Sequence, residues 1–253
     1  MMKITMIGHS SVLIETQGKR LLTDPFFSNF GNLAYRRVTP PAMSRQDLAN
    51  VDLVLVSHGH FDHVDRRFLR GLPPDVPVLA PGRLWLVSLR PGKNLLKMET
   101  WKRYTFGDIA VTAVPAIHTT TTNGFVIESE GLTVYFAGDT YYNSFMTRLR
   151  QQFRIDVALM PVTTFRIPMT MGEREAVRAV QVLEPNVVIP IHLGIQPRSF
   201  LLRTGQSPEG FARRLHEAGS PCRVEILREG MSWIASPADV KATASDMTRA
   251  GKQ

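Results

Sequence analysis

Three histidines and an aspartate fall within six residues of one another, in the stretch Ser57-His58-Gly59-His60-Phe61-Asp62-His63. Imidazole nitrogen and carboxylate oxygen are donors that suit zinc, iron and manganese. His58 and His60 share a parity, so extended backbone sends both to one side. Asp62 and His63 follow where a loop or the first turn of a helix aims them at a second point. The chain has seven histidines in all, and three stand here at ligand spacing. Other chemistry-bearing residues arrive singly, each closing an apolar run: His118 after Val111–Ile117, Asp139 after Thr133–Gly138, and His192 after Val187–Ile191. A buried unpaired charge is costly at such positions.

Strands must carry these residues. Leu53-Val54-Leu55-Val56, just before His58, reads as a buried strand ending in a loop. Lys3–Ile7, Ser11–Thr16 and Arg20–Thr23 are short strand candidates, joined at Gly8-His9 and at the hairpin turn Gln17-Gly18-Lys19, and the third ends at Asp24-Pro25. Phe26–Pro41 has no clear periodicity, and its aromatic and arginine content suits a loop over the site. Ser44 reads as a helix cap with Asp47 in the first turn, and a second helix runs from about Asp65 to Arg70. Val76–Ala80 predicts a strand, Pro81–Arg90 a helix, and Gly107-Asp108 a hairpin between Trp101–Phe106 and Ile109–Val114. The second half continues with a helix to Phe153, a strand over Asp156–Met160 and a helix over Glu175–Leu183. Gln196–Gly205 reads as a loop with Arg198 and Arg203. A helix over Pro208–Ala218, capped by Ser207, then leads to a closing hairpin of Arg223–Leu227 with Met231–Ala235. Residues 1–235 read as a single domain, and Ser236–Gln253 as a flexible C-terminal tail.

His-x-His-x-Asp-His after a hydrophobic strand, followed in order by the isolated His118, Asp139 and His192, resembles the metallo-β-lactamase superfamily from residue 4 to about residue 193. Gly8-His9-Ser10-Ser11 before Val12-Leu13-Ile14-Glu15 resembles one branch of it. That branch holds metal-dependent hydrolases related to N-acylphosphatidylethanolamine phospholipase D and ascorbate-phosphate lactonase. The resemblance implies an α/β fold, a four-layer αββα sandwich of two mixed sheets with helices outside. It implies two divalent metal ions, with zinc favoured and manganese or iron compatible. His58, His60 and His118 would hold the first, Asp62, His63 and His192 the second, and Asp139 would bridge them. Asp24 would support the ligand-bearing loops without binding metal. Asp62 and His9 become the candidate catalytic residues, His9 beside the cleft as a supporting or substrate contact. Tyr141, Phe165 and Arg166 become the candidate substrate-binding residues.

Two such cations lower the pKa of a shared water to about 7. The expected activity is therefore hydrolysis, in which a metal-bridging hydroxide attacks an ester, lactone or phosphodiester. Ser10, Ser11 and Ser57 lack the strand-turn-helix surroundings of a nucleophile elbow. An RNA-processing nuclease and a non-hydrolytic iron oxidoreductase of the same fold are the alternatives. No RNA-clamping insertion is recognisable, which disfavours the first, and the full seven-ligand set disfavours the second. The net charge of +8 comes from scattered arginines that form no long basic run. That distribution suits a small anionic substrate or an anionic lipid better than a stable nucleic-acid partner, and the base composition of the gene alone would also produce it. A hydrophobic content of 43% and a charged content of 21% describe a globular chain. No apolar stretch approaches the roughly 20 residues of a membrane span. The N-terminus runs straight into a strand pattern without signal-peptide architecture, and the one cysteine, Cys222, leaves no internal disulfide and fits a reducing cytoplasm.

Overall fold

The computed structural model describes residues 1–29, 31–82, 95–237 and 240. Seven strands form a first sheet, in the order β16 (Ser232–Ala235), β1 (Met2–Gly8), β2 (Ser11–Thr16), β3 (Lys19–Thr23), β5 (Leu53–Leu55), β6 (Val78–Ala80) and β7 (Leu95–Lys97). Seven more form a second, in the order β15 (Arg223–Val224), β13 (Val187–Ile191), β12 (Val157–Pro161), β11 (Leu132–Phe136), β10 (Asn123–Ser129), β9 (Ile109–Pro115) and β8 (Arg103–Phe106). Both are mixed and built alike. The run β1–β2–β3 is antiparallel and β3–β5–β6–β7 parallel; β8–β9–β10–β11 is antiparallel and β11–β12–β13–β15 parallel.

Period-two alternation produces four layers. Leu53 and Leu55 of β5 face the second sheet and pack in one core with Ile4, Ile14, Phe125, Phe136 and Leu159. Val54, between them, faces the other way, onto Phe68 and Leu69 of α1 (Arg66–Gly71). The outer face of the second sheet is covered by α2 (Phe145–Gln152), α3 (Glu173–Leu183) and α4 (Pro208–Glu217), through Met146, Leu149, Ala176, Val180, Phe211 and Leu215. The result is the αββα sandwich that the motif implied. Each fully buried leucine, isoleucine or phenylalanine contributes about 1.5–3 kcal/mol. These three cores therefore hold the sheets without help from the polar residues at the strand ends.

Five local expectations need correction or adjustment. Ser44 and Asp47 make the reciprocal cap, Ser44 N–H to Asp47 Oδ2 at 2.8 Å and Asp47 N–H to Ser44 Oγ at 3.3 Å. Only turns follow, because Leu48 and Val51 must both turn into the core ahead of β5. Phe26–Pro41 is not wholly irregular: β4 (Tyr35–Arg37) pairs antiparallel with β14 (Ile195–Pro197), which also takes the start of the expected 196–205 loop. Arg223–Leu227 and Met231–Ala235 do not form a hairpin. β15 joins β13 in the second sheet and β16 joins β1 in the first, with Leu227 buried in the core between the sheets. The packed chain also passes the expected boundary at 235. Val240 is 1% exposed in the inter-sheet core and its N–H donates to the Ser236 carbonyl at 3.1 Å. The helix expected over Pro81–Arg90 lies almost wholly outside the described residues. Among the described residues no helix is long and apolar enough to cross a membrane.

Candidate metal centre

The chemistry-bearing residues leave the C-terminal ends of neighbouring strands. Asp24 follows β3, His58 to His63 follow β5, His118 follows β9, Asp139 follows β11, and His192 follows β13. Backbone hydrogen bonds tie these loops together: Asp24 N–H to the Leu55 carbonyl at 2.8 Å, Asn123 N–H to Ser57 at 3.0 Å, and His192 N–H to His9 at 2.9 Å. Two glycines permit the close approach. A Cβ on Gly138 would lie 2.5 Å from Ser57 Cβ, and one on Gly194 would lie 2.7 Å from His9 Cβ. His9, Asp24 and His192 themselves hold left-handed backbone, with φ of 61°, 34° and 65°.

The candidate ligand atoms fall into two groups. His58, His60, His118 and Asp139 converge on one point, and Asp62, His63 and His192 on another, with His9 beside them. Asp139 faces both: its Oδ2 lies 3.8 Å from His58 Nε2, 3.7 Å from His118 Nε2 and 3.2 Å from His192 Nε2, and its Oδ1 lies 3.3 Å from His63 Nε2. His60 Nδ1 and His118 Nε2 are 3.2 Å apart. That is close to the edge of about 3.3 Å expected for a tetrahedron with zinc–nitrogen bonds of about 2.0–2.1 Å. His58 Nε2, His63 Nε2 and Asp139 Oδ1 are buried without a hydrogen-bond partner. Such an orphan costs roughly 1–3 kcal/mol, and a cation at each point would satisfy them. This His/Asp cluster is able to bind metal. Six of the chain's seven histidines enter it; His216 is exposed on α4.

A second layer sets the ring tautomers. Asp24, fully buried, accepts from Ser57 N–H at 2.6 Å on Oδ1, and from Ser57 Oγ–H at 2.6 Å and His63 Nδ1–H at 2.7 Å on Oδ2. Ser57 Oγ, having donated to Asp24, accepts from His58 Nδ1 at 2.9 Å. In the neutral form of each ring the proton is therefore held on Nδ1, with Nε2 aimed at the cluster. Burial alone pulls His63 down, but Asp139, Asp62 and Asp24 outweigh it and hold the imidazole well above its ordinary value. Burial, helped by His63, holds His58 well below, and burial pulls His118 down to about 4. Burial opposes ionisation of Asp62 and Asp139, yet the surrounding imidazoles keep both carboxylates below their ordinary range.

Of the two places expected for His9, a supporting or a substrate contact, its geometry fits the first. It is 1% exposed and both ring nitrogens are engaged: Gly194 N–H donates to Nδ1 at 3.2 Å, so Nε2–H is left to donate to Asp62 Oδ2, also at 3.2 Å. Burial and His192 pull its pKa down to about 3, so it is neutral at pH 7. Its geometry is that of a positioning residue behind Asp62.

A cavity of about 180 Å³ opens over the cluster, walled by Tyr35, Phe61, Phe165, Met169 and Ile195. Of the substrate-binding candidates, Phe165 lines it, with the Tyr35 ring tilted 34° against it at 5.5 Å between centroids. Tyr141 sits at the His118 side, 6.2 Å between centroids, its hydroxyl donating to the Pro168 carbonyl at 3.0 Å. Arg166 is exposed and is not part of the wall. Sequence reasoning missed Tyr35, whose three-residue strand has no period to read, and the role of Ser57, signalled only by its place directly before His58.

Residues 3–192 match the beta-lactamase superfamily domain. A UPF0173 metal-dependent hydrolase of Methanopyrus kandleri is 31% identical over 245 residues, spanning 92% of this chain and 99% of its own length. Another, of Pyrobaculum neutrophilum, is 34% identical over 238 residues, spanning 90% and 98%. Igni18, a metallo hydrolase of Ignicoccus hospitalis, shares the fold at a TM-score of 0.75 and 22% identity, over 93% of this chain and 99% of that one. The sandwich, the His/Asp cluster at its strand ends and these nearly full-length matches together make this chain a member of the beta-lactamase superfamily, among its UPF0173 metal-dependent hydrolases.

Proposed function

We propose that the protein is a dinuclear metal-dependent hydrolase acting on a small anionic ester, lactone or phosphodiester. The position of Asp139 carries this reading, because one carboxylate faces histidines of both ligand groups at 3.2–3.8 Å. His58, His60 and His118 would hold one divalent ion, Asp62, His63 and His192 the other, with Asp139 shared; zinc fits the nitrogen-rich set best. When bound, such ions supply a nucleophile at neutral pH by lowering the pKa of water, and neutralise charge developing on the substrate. Asp62, kept ionised by its imidazole neighbours, serves as ligand and not as proton store. His9 Nε2–H fixes which Asp62 oxygen is free. Asp24 and Ser57 keep the ring protons of His63 and His58 on Nδ1. Tyr35, Phe61 and Phe165 exclude water from one side and give the substrate an apolar wall. The single cysteine supports a reducing, cytoplasmic setting.

The test is metal analysis of protein reconstituted with zinc or manganese, joined to a panel of chromogenic esters, lactones and phosphodiesters. Two equivalents per chain and chelator-sensitive turnover of one class are expected. A single equivalent, or turnover indifferent to chelation, would overturn the reading.

A further inference from the structure

A second cavity, about 270 Å³, adjoins the first and shares His192, Phe165 and Ile195 with it. Its far wall comes from the residues after β14 and the start of α4. Among the described residues, Arg203 carries the only full charge on that wall, and no acidic side chain lines it. Most of the polar neighbours are already committed. Thr164 Oγ1 accepts from Met169 N–H at 3.0 Å, Thr204 Oγ1 donates to the Thr164 carbonyl at 2.7 Å, Gln206 Oε1 accepts from Thr164 N–H at 3.0 Å, and Ser207 Oγ accepts from Gly210 N–H at 2.9 Å. Arg203 is different. Its Nε–H donates to the Pro197 carbonyl at 2.9 Å and an Nη2–H to the Arg198 carbonyl at 3.1 Å. Two carbonyls fix the plane of the guanidinium but leave three of its five donors, and the whole of its charge, unmatched by any carboxylate among the described residues.

A fixed, uncompensated guanidinium in a cavity joined to a hydrolytic centre is a receptor for an anion, since its fork matches a carboxylate or phosphate. We infer that the substrate carries a carboxylate or phosphate at a distance from the bond that is cleaved, and that Arg203 binds this group in the second cavity while the scissile bond lies over the metal centre. The inference rests on the hydrolase reading and adds to it a two-ended substrate and the residue that reads the remote end. Arg166, the arginine among the substrate-binding candidates, stands outside both cavities.

The experiment has a kinetic and a binding arm, both on the metal-reconstituted full chain. In the first, p-nitrophenyl butyrate is compared with the p-nitrophenyl half-ester of glutaric acid, in wild type, Arg203→Met and Arg203→Lys. Losing a charge-assisted pair should raise KM for the half-ester by about 10–100-fold in Arg203→Met, leave kcat nearly unchanged, and leave the neutral ester unaffected; Arg203→Lys should recover part of the loss. In the second, calorimetry compares butyrate with succinate, glutarate and adipate. Wild type should prefer at least one dicarboxylate over butyrate, and Arg203→Met should lose that preference. Melting curves identify a variant that has lost its fold along with its two backbone contacts, and Arg203→Lys then carries the comparison. A dicarboxylate preference absent from wild type, or untouched in Arg203→Met, overturns the inference. Absence of turnover on both esters with an Arg203-dependent preference intact overturns the esterase form of the hydrolase reading instead.

Discussion

Asp24→Asn tests the second layer with little disturbance to the backbone. At φ 34° asparagine is one of the few residues as tolerant as aspartate. The amide oxygen can keep the bond from Ser57 N–H, leaving an NH2 where Oδ2 received Ser57 Oγ–H and His63 Nδ1–H. Two donors cannot face each other, so the His63 proton must move from Nδ1 to Nε2. Ser57, now accepting from the amide, turns its hydroxyl proton toward His58 Nδ1, and that ring proton must move as well. Both rings then present N–H where a lone pair is required. Loss of such an outer partner lowers metal affinity about 10–100-fold, or about 1.4–2.7 kcal/mol. Exchanging charge-assisted bonds for neutral ones removes a further 1–2 kcal/mol or so from the metal-free fold, lowering its Tm by about 2–8 °C. Chelator competition with zinc should show both equivalents weakened, whereas Ser57→Ala, which cuts only the path to His58, should weaken one. Wild-type affinity for both equivalents in Asp24→Asn would refute the relay.

Asp139→Asn should weaken both metal equivalents together, and loss of only one, by elemental analysis, would remove it from the shared position. His9→Asn tolerates the left-handed backbone but is too short to reach Asp62; it should lower Asp62-side metal affinity and kcat/KM about tenfold or more without adding or removing an inflection near neutrality in the pH profile, since His9 titrates near 3. His63 in the metal-free protein is raised above its unfolded value of about 6.5, so its stabilising contribution is complete below about pH 6.5 and is lost as pH rises through the folded value. Metal binding must displace that proton, so His63-side affinity should rise about tenfold per pH unit over the same range, while the His118 side stays flat; calorimetry in buffers of different ionisation enthalpy should find one proton released, and none would count against it. Burial pushes the Cys222 thiol up to about 12, so the native protein should react slowly with thiol reagents at pH 8, and rapid labelling would contradict that burial.

The candidate ligands His118, Asp139 and His192 were legible because each closes an apolar run, where the cost of buried polarity speaks locally, and His58, His60, Asp62 and His63 because they cluster at ligand spacing. The contacts that tune them were not. Ser57 meets Asp24 only because β3 and β5 pair in parallel with Thr23 opposite Leu55, a register that neither strand encodes alone. Tyr35 reaches Phe165 because β4 finds β14 far along the chain, and three-residue strands carry too little pattern to announce a partner. Ser44 and Asp47 were read correctly as a cap, yet capping stabilises a helix only when its apolar face has a helical period. The two last strands alternate as a hairpin would; that they enter different sheets depends on which edges the rest of the fold leaves open.

The left-handed backbone at His9 and His192 has an evolutionary consequence. A β-carbon in that region costs roughly 1–2 kcal/mol per residue, and glycine or asparagine would sit there more comfortably. Selection for a stable sandwich alone would therefore erode both histidines, and a gene copy released from its task should lose them early while its cores stay intact. Their joint presence, beside orphaned nitrogens that also weaken the empty fold, marks a chain that keeps this cluster at a cost in stability.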